Sequence, residues 1–551
     1  MARMRASEGL IRSLETHGVE VIFGIISSHT MEIFDALHDH TDRIRFVSAR
    51  HEHAAAMMAD GYARATGRPG VCLTSSGPGA ANAMGGLGEA YFASSPVLHI
   101  TSTAEETLYE RKLGTIHETK DQLAMLDTVS QESYHVSKPE TIPARVAEAF
   151  ERFQTRRPRP FSIEIPVDVQ GQEVEIEIPS PARAEALAGD ARHLAAAASA
   201  LTAGGRAGVL AGTGVHRSGA HEELRQLVER LSLPVFTTAN GKGAIDEDHP
   251  LCLGMYGGEY NFPPGGLPDP RQAFIESLDL LLVVGSSLSY FRAKSQGLEQ
   301  PQQLIHVDID RDAMDRWYEA SVPLVGDARV VLGQLNAALG RAGAMEQTQF
   351  GLALEVAEAR DRIAAYKCET MPGETRTMEA IRSVVDRDAI FVGDVSICNH
   401  RGTNYCLESY GGRNYITPAW GGLGFALPAA VGAKAGLPDR QVIAIAGDGG
   451  FQFNIQELGS CAQYGISPVF VVFNDSAWGL LRQFQRERGG RYIASELVNP
   501  DFVGVAESFG ILGVRVDSVD GLVGALGEAL RSEVATLIEV ETPEGFAAFG
   551  C

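Results

Sequence analysis

The chain has 551 residues, and division by a domain length of about 150 points to three or four domains, each able to bury its own core. Its 47 basic residues against 70 acidic ones leave a net charge of −23, which argues against nucleic-acid and anionic-membrane partners, since both are held by clustered Lys and Arg, and toward small-molecule ligands. A composition of 44% hydrophobic and 21% charged residues is that of a folded globular protein. The start, MARMRASEGL, lacks the apolar stretch of a secretory signal, and no window approaches about 18 uninterrupted apolar residues, so a cytoplasmic protein that does not span a membrane is expected. Cys72, Cys252, Cys368, Cys398, Cys406, Cys461 and Cys551 are scattered with no C-x-x-C pair, and are expected as reduced thiols.

Short apolar, β-branched runs alternate with helical patterns, which predicts an α/β protein of three doubly wound parallel sheets. The first unit, 1–172, reads as strands at 19–25, 43–48, 70–75 and 95–101, with a helix over 51–66. A Pro- and Ala-rich passage, 173–190, reads as a linker. The second unit, 191–343, has strands at 205–212, 234–238, 278–285 and 303–310. Another polar stretch, 340–349, precedes the third unit, 356–551, with strands at 389–394, 441–448, 468–474 and 536–541.

The third unit carries the clearest chemistry, because QVIAIAGDGGF places Gly447, Asp448, Gly449 and Gly450 at the carboxyl end of a strand, where open α/β sheets bind ligands. Glycines there let the backbone approach a phosphate, and a carboxylate among them can hold a hard cation that bridges to it. Asn454 with Glu457 three residues on has capping-box spacing. The next strand returns to Asn474-Asp475, and a second oxygen ligand 27 positions on (475 − 448 = 27) is what one helix plus one strand requires.

This constellation resembles the thiamine diphosphate (ThDP) binding motif, and the resemblance extends over nearly the whole chain to ThDP enzymes of the acetolactate synthase, benzoylformate decarboxylase and benzaldehyde lyase group. That group has pyrimidine-binding, central and diphosphate-binding domains. The resemblance implies bound ThDP and Mg2+, with Asp448, Asp475 and the Ala477 carbonyl as metal ligands. Asp475 stands where the family usually has Asn, which adds a negative charge to the metal site. In the first unit, Arg50-His51-Glu52-His53 at a helix start implies Glu52 as the acid that protonates the aminopyrimidine ring. A helix N-terminus stabilises a carboxylate, whereas burial against an apolar ring raises its pKa. In TSSGPGAAN, Pro78 and Asn82 match positions lining the ring. TPAWGGLGF implies Leu423 as the wedge that bends the cofactor, with the Gly421 carbonyl on its exocyclic amine. Gly393, Asp394, Val395 and Ser396 match a loop touching the diphosphate.

The implied reaction attacks the carbonyl of a 2-oxo acid, releases carbon dioxide and leaves an enamine on ThDP, which is either protonated to an aldehyde or ligated to a second carbonyl. The reading is therefore a 2-oxo acid decarboxylase or carboligase. Its alternatives are an acetolactate synthase proper and a lyase of 2-hydroxy ketones. His29 stands where acetolactate synthases carry Ala and benzaldehyde lyase carries His, and His117 where both usually carry Gln; either imidazole can move a proton near pH 7. His117-Glu118 and RRPRPFSIEIPVDV (156–169) also resemble a guanidino-2-oxo acid decarboxylase of the group. Trp478, Gly479 and Leu480 are candidate cofactor-binding residues after the metal motif, and Trp478, Leu480, Leu481 and Phe484 fall at helical spacing on positions that shape the acyl pocket in this family, with core packing as the alternative. In the central unit, GTGVHRSG (212–219) is a weak dinucleotide signal, and VVGSSLSYFR keeps only Arg292 of the Arg-rich segment by which acetolactate synthases bind FAD, so FAD is not expected. The resemblance finally implies a homodimer or homotetramer with each site built from two subunits.

Overall fold

The computed structural model describes residues 1–182, 185–257, 268–290, 293, 295, 297–341 and 350–542; Arg292, Cys551 and residues 342–349 of the second polar stretch lie outside these. Three parallel six-stranded sheets with helices packed around them form the chain. In the first, the strands run from edge to edge as Arg45–Ser48, Val21–Gly24, Gly70–Leu73, Val97–Thr103, Phe161–Pro166 and Glu132–His135. In the third they run Tyr415–Ile416, Ile390–Gly393, Val442–Gly447, Val469–Asn474, Thr536–Glu541 and Leu512–Val516. Counted within each unit, both follow the order 2-1-3-4-6-5. The middle sheet runs Cys252–Met255, Val235–Thr237, Ala207–Ala211, Leu280–Val284, Gln303–Asp308 and Val322–Val325, the order 3-2-1-4-5-6 of dinucleotide-binding folds.

The apolar runs read as strands are inner strands, except 43–48, which holds the edge strand Arg45–Ser48. Three other outer strands carry no such signal: Glu132–His135 is half-exposed throughout, Tyr415–Ile416 is two residues long, and every residue of Leu512–Val516 is exposed or half-buried. The passage 173–190 departs from a plain linker at its start. There Glu173–Ile176 pairs antiparallel with Ala2–Arg5, with Ala2 opposite Ile176 and Arg5 opposite Glu173, as the period-2 pattern of EVEI allows.

The first and third units share one core. Helix Glu52–Thr66 lies against helix Ala426–Gly436 so closely that a Cβ on Gly61 would be 2.1 Å from the Ala429 carbonyl oxygen, and one on Gly432 would be 1.9 Å from that of Met58. Glycine is needed at both crossings. Around them Ala55, Tyr62, Phe425, Leu427 and Val431 are buried in a single apolar cluster. No described helix is long and apolar enough to cross a membrane.

Candidate active site

In open parallel sheets a ligand crevice forms where neighbouring strands send their connections to opposite sides. For the first sheet this is between Val21–Gly24 and Gly70–Leu73, and for the third between Ile390–Gly393 and Val442–Gly447. The loops leaving these strand ends carry His29 and Ser75 to Pro78 in one case, and Asp394 to Ser396 and Asp448 to Gly450 in the other.

At the first edge Glu52 begins its helix half-buried, and its Oε2 accepts a hydrogen bond from Asn82 Nδ2 at 3.0 Å. Asn82 belongs to helix Pro78–Phe92, which Pro78 opens at a position where a missing N–H costs nothing. Gly77 before it has φ of +54°, and a Cβ there would be 2.2 Å from the His117 carbonyl oxygen, so the His117 loop is seated on this helix start. His117 itself is held at φ +65°, an uncommon conformation for a residue with a side chain. Its ring stacks on His29 with centroids 4.6 Å apart and planes 29° apart, and its Nδ1 is 3.4 Å from Ser75 Oγ. Burial, then the neighbouring His117 charge, pushes the His29 pKa down, while Glu105 acts in the opposite sense.

At the third edge Asp448 starts helix Asp448–Gln452 directly after the strand. Its Oδ2 accepts from the Ala477 N–H at 3.2 Å and from Asn499 Nδ2 at 2.6 Å. Asn499 also donates to Asn474 Oδ1 at 2.8 Å, and Asn474 Nδ2 donates to Glu539 Oε1 at 2.7 Å, which makes Asn474 a brace behind the loop. Asp475 Oδ2 pairs with Arg482 at 3.0 Å from helix Gly479–Gly489. A Cβ on Gly479 would lie 2.4 Å from that oxygen, so a side chain there would displace the Asp475 carboxylate. Burial and then the Asp448 charge push Asp475 up to about 6, with Arg482 opposing; burial raises Asp448, opposed chiefly by Asn499. Two carboxylates strained against each other and a nearby carbonyl suit a hard cation. Among the described residues no group of three or more His, Cys, Asp or Glu could hold a metal, so the remaining ligands would be oxygens of the carbonyl, water or a phosphate. The donor set fits the metal–diphosphate group.

The neighbouring residues shape this edge in different ways. The Trp478 ring lies on Gly449, where a Cβ would be 2.5 Å from Cζ3, and a Cβ on Gly450 would come 3.1 Å from Asp394 Oδ1. Gly447 and Ser396 bring the two loops together, 3.3 Å from an added Cβ. A Cβ on Gly393 would overlap the side-chain amide of Asn399. Asp394 is fully buried, and its carboxylate accepts from the N–H groups of Val395 (2.7 Å), Gly424 (3.1 Å) and Ala426 (3.0 Å), so it holds the 421–426 loop from within. Gly421, at φ +94°, is exposed with no atom within 4 Å of an added Cβ, while Leu423 and Leu480 are half-buried beside the crevice.

Asn454 and Glu457 do not form the capping box their spacing suggests. Asn454 Nδ2 donates to the Gly424 carbonyl at 2.8 Å, and Glu457 reaches into the first unit. Sequence reasoning also passed over Ser75, Glu89, Arg482 and Asn499. Asn499 lies 51 positions from its partner and leaves no local pattern. Glu89, a lone acid in the apolar stretch GGLGEAYF, was the one visible signal.

A cavity of about 550 Å3 lies elsewhere, at the crevice of the middle sheet. Gly214, Gly285, Ser286, Arg217 and Asp308 line it, and Gly285 at φ +64° lies so close to Gly214 that a Cβ on either would collide with the other. The G-x-G segment read as a weak signal thus borders a real cavity.

Three doubly wound units, one edge presenting a glutamate with imidazoles and another presenting Gly-Asp-Gly with a second carboxylate, define a thiamine diphosphate enzyme. Residues 4–125 match the family description "Thiamine pyrophosphate enzyme, N-terminal TPP binding domain", residues 194–335 its central domain, and residues 396–540 its C-terminal TPP binding domain. The chain is 32% identical to a probable acetolactate synthase large subunit of Methanococcus aeolicus, over 97% of this chain and 92% of that one. It is 33% identical to a probable 2-ketoarginine decarboxylase of Pseudomonas aeruginosa, over 98% and 94%. The chain belongs to the thiamine diphosphate-dependent enzymes of the acetolactate synthase group, whose chemistry is 2-oxo acid decarboxylation and carboligation.

Proposed function

We propose that the protein is a ThDP- and Mg2+-dependent decarboxylase of a cationic 2-oxo acid, releasing the aldehyde. The observation that carries this reading is the stacked His29–His117 pair at the first sheet edge, 4.6 Å between centroids. When bound, ThDP supplies a nucleophilic carbon and an electron sink. Glu52, oriented by Asn82, holds a proton for the aminopyrimidine ring. Asp448, Asp475 and the Ala477 carbonyl hold Mg2+, and the backbone of Gly447, Gly449 and Gly450, with Val395, faces the diphosphate. Gly421 and Leu423 seat the ring system, and Trp478, Gly479 and Leu480 wall the acyl side. His29 and His117 stand where an imidazole would supply the proton that completes aldehyde release. Glu105, exposed beside His29, offers a carboxylate to a guanidinium tail.

Each site would join the first unit of one chain to the third unit of another. Exposed apolar side chains flank both edges: Ile26 and Ile116 beside the histidines, Phe453 and Leu481 beside the metal loop. Such surface is normally covered by a partner. The test is a panel of 2-oxo acids, with 2-ketoarginine and pyruvate as the two poles, scored for carbon dioxide, aldehyde and ligated product. The expected result is aldehyde from the cationic acid; acetolactate from pyruvate as the main product overturns the reading. His117→Gln should shift product from aldehyde toward ligated ketone when an acceptor aldehyde is added.

A second reading, a flavin-containing acetolactate synthase, draws on the cavity of about 550 Å3 at the middle crevice. The absorption spectrum of the purified protein separates the two, since bound flavin is yellow.

A further inference from the structure

Two glutamates cross between the first and third units in opposite directions. Glu457, fully buried and following the metal loop of the third unit, accepts the backbone N–H of Arg50 at 2.9 and 3.1 Å and that of His51 at 3.1 Å, with Ser460 Oγ donating at 2.7 Å. Those two N–H groups immediately precede Glu52. Glu89, fully buried on the first unit's helix Pro78–Phe92, accepts the N–H of Ala419 at 2.8 Å, of Trp420 at 2.9 Å and of Gly422. That segment leads directly into Leu423. A buried carboxylate is tolerated only when its oxygens are saturated with donors, and here the donors are runs of backbone N–H from a loop of the other unit.

We propose that Glu89 and Glu457 are reciprocal positioning residues, each fixing the cofactor-facing loop of the unit to which it does not belong. Glu457 sets the start of the Glu52 helix, and Glu89 sets the 419–423 loop. Both carboxylates meet backbone N–H groups of a cofactor-facing loop across the boundary between the units. The arrangement gives each unit a rigid reference in its neighbour, since the helices between them, Glu52–Thr66 and Ala426–Gly436, touch backbone to backbone. The oxygens of each glutamate are taken up by the loop it holds, so their effects on the two loops separate. Loss of Glu457 disturbs proton handling by Glu52, and loss of Glu89 disturbs cofactor seating.

The inference rests on the ThDP reading above for its functional half only, and two measurements on the full chain keep the halves apart. Hydrogen exchange of the protein without cofactor comes first. In Glu457→Gln the amides of residues 50–51 should exchange about 10-fold faster while 419–422 keep wild-type rates, and Glu89→Gln should give the converse, since a neutral amide is a weaker acceptor than a carboxylate. Glu457→Asp and Glu89→Asp, which keep the charge but withdraw it from the loop, should show the same local pattern if the Gln variants do not fold. With ThDP and Mg2+ added, Glu457→Gln should slow C2-proton exchange of bound cofactor by about 10-fold at unchanged Kd, and Glu89→Gln should raise Kd by about 10-fold with C2 exchange per bound cofactor unchanged. Wild-type exchange at both loops, or acceleration spread evenly over the chain, overturns the inference. A wild-type protein that binds no ThDP overturns the functional reading and leaves the exchange pattern to decide the clamps.

Discussion

The first and third units have the same strand order, yet their crevices present opposite chemistry. At the first, the side chains are a glutamate, an amide and two imidazoles, groups suited to moving a proton. At the third, they are two crowded carboxylates and a run of glycines suited to a cation and phosphate. Topology therefore fixes where a ligand sits and leaves the reaction to the residues on the loops. The middle unit makes the same point by contrast: its 3-2-1-4-5-6 order opens a cavity of about 550 Å3 at the crevice, lined by neither set.

If the third edge is the anchoring one, Asp448→Ala should produce the largest loss. The diphosphate is held through the cation, so calorimetric titration with ThDP and Mg2+ should show affinity falling by about 100-fold or more, in line with the loss of a charged ligand. Unchanged affinity would remove Asp448 from the metal site. The first edge should fail differently. Glu52→Gln keeps the bond from Asn82 or its reverse but cannot give up a proton, so ThDP should bind normally while turnover drops by about 100-fold, the scale of a lost general acid. Equal loss of binding in both variants would erase the division of labour between the edges.

Acid should separate the two sheets beneath. His99 in the first sheet is fully buried between Thr74 Oγ1 (2.9 Å) and Ser162 Oγ (3.2 Å), and burial pushes it down to about 3; His53 is pushed down to about 4. A histidine whose folded pKa lies below its unfolded value of about 6.5 is favoured neutral, so its contribution is present above pH 6.5 and is lost as pH falls toward the folded value, by about 1.4 kcal/mol per pH unit for each group. In the third unit the sign reverses. Burial pushes Asp394 up to about 6, above its unfolded value of about 3.9, so that unit gains stability as pH falls through 6. Hydrogen exchange at pH 7.5 and pH 5, corrected for intrinsic rates, should show Val21–Gly24, Gly70–Leu73 and Val97–Thr103 losing on the order of 10-fold more protection than Val442–Gly447 and Val469–Asn474. Parallel loss in both sheets would refute the contrast.

The parts of this architecture visible in the sequence are those with local pattern. Inner strands such as Val442–Gly447 and Leu280–Val284 are buried on both faces and read as apolar runs, and the Gly-Asp-Gly turn and Asn474-Asp475 return sit at a spacing set by one helix and one strand. Edge strands such as Glu132–His135 need bury only part of their surface and leave no run. The stacking of His29 on His117 spans 88 positions (117 − 29 = 88), and the Glu457 contacts with Arg50 span 407. Long-range hydrogen bonds of this sort carry no period. Glu457 even offered a misleading local one, because capping-box spacing is satisfied by any acid three residues after an Asn.

The smallest expected effect concerns Asp475, where the family resemblance leads one to expect Asn. Asp475 adds a negative charge beside Asp448, and Arg482, seven residues on, pairs with it at 3.0 Å where both side chains are about one-sixth exposed, 17% and 16%. The arginine thus offsets the charge that Asp in place of Asn introduces, and the two positions act as a unit. Asp475→Asn alone should change metal-dependent ThDP affinity by only a few-fold, since the amide oxygen can still ligate and the extra charge is gone. Arg482→Met alone leaves two carboxylates facing each other without a counter-charge; Mg2+ affinity in the absence of ThDP should rise, because the cation becomes the sole neutralising partner and no longer competes with the guanidinium for Asp475. The double variant should return to within a few-fold of wild type, with a coupling of about 1 kcal/mol, the scale of a partly exposed ion pair. Additive effects of the two substitutions would mean that Arg482 serves the helix it stands on and that Asp475 meets its cation unaided.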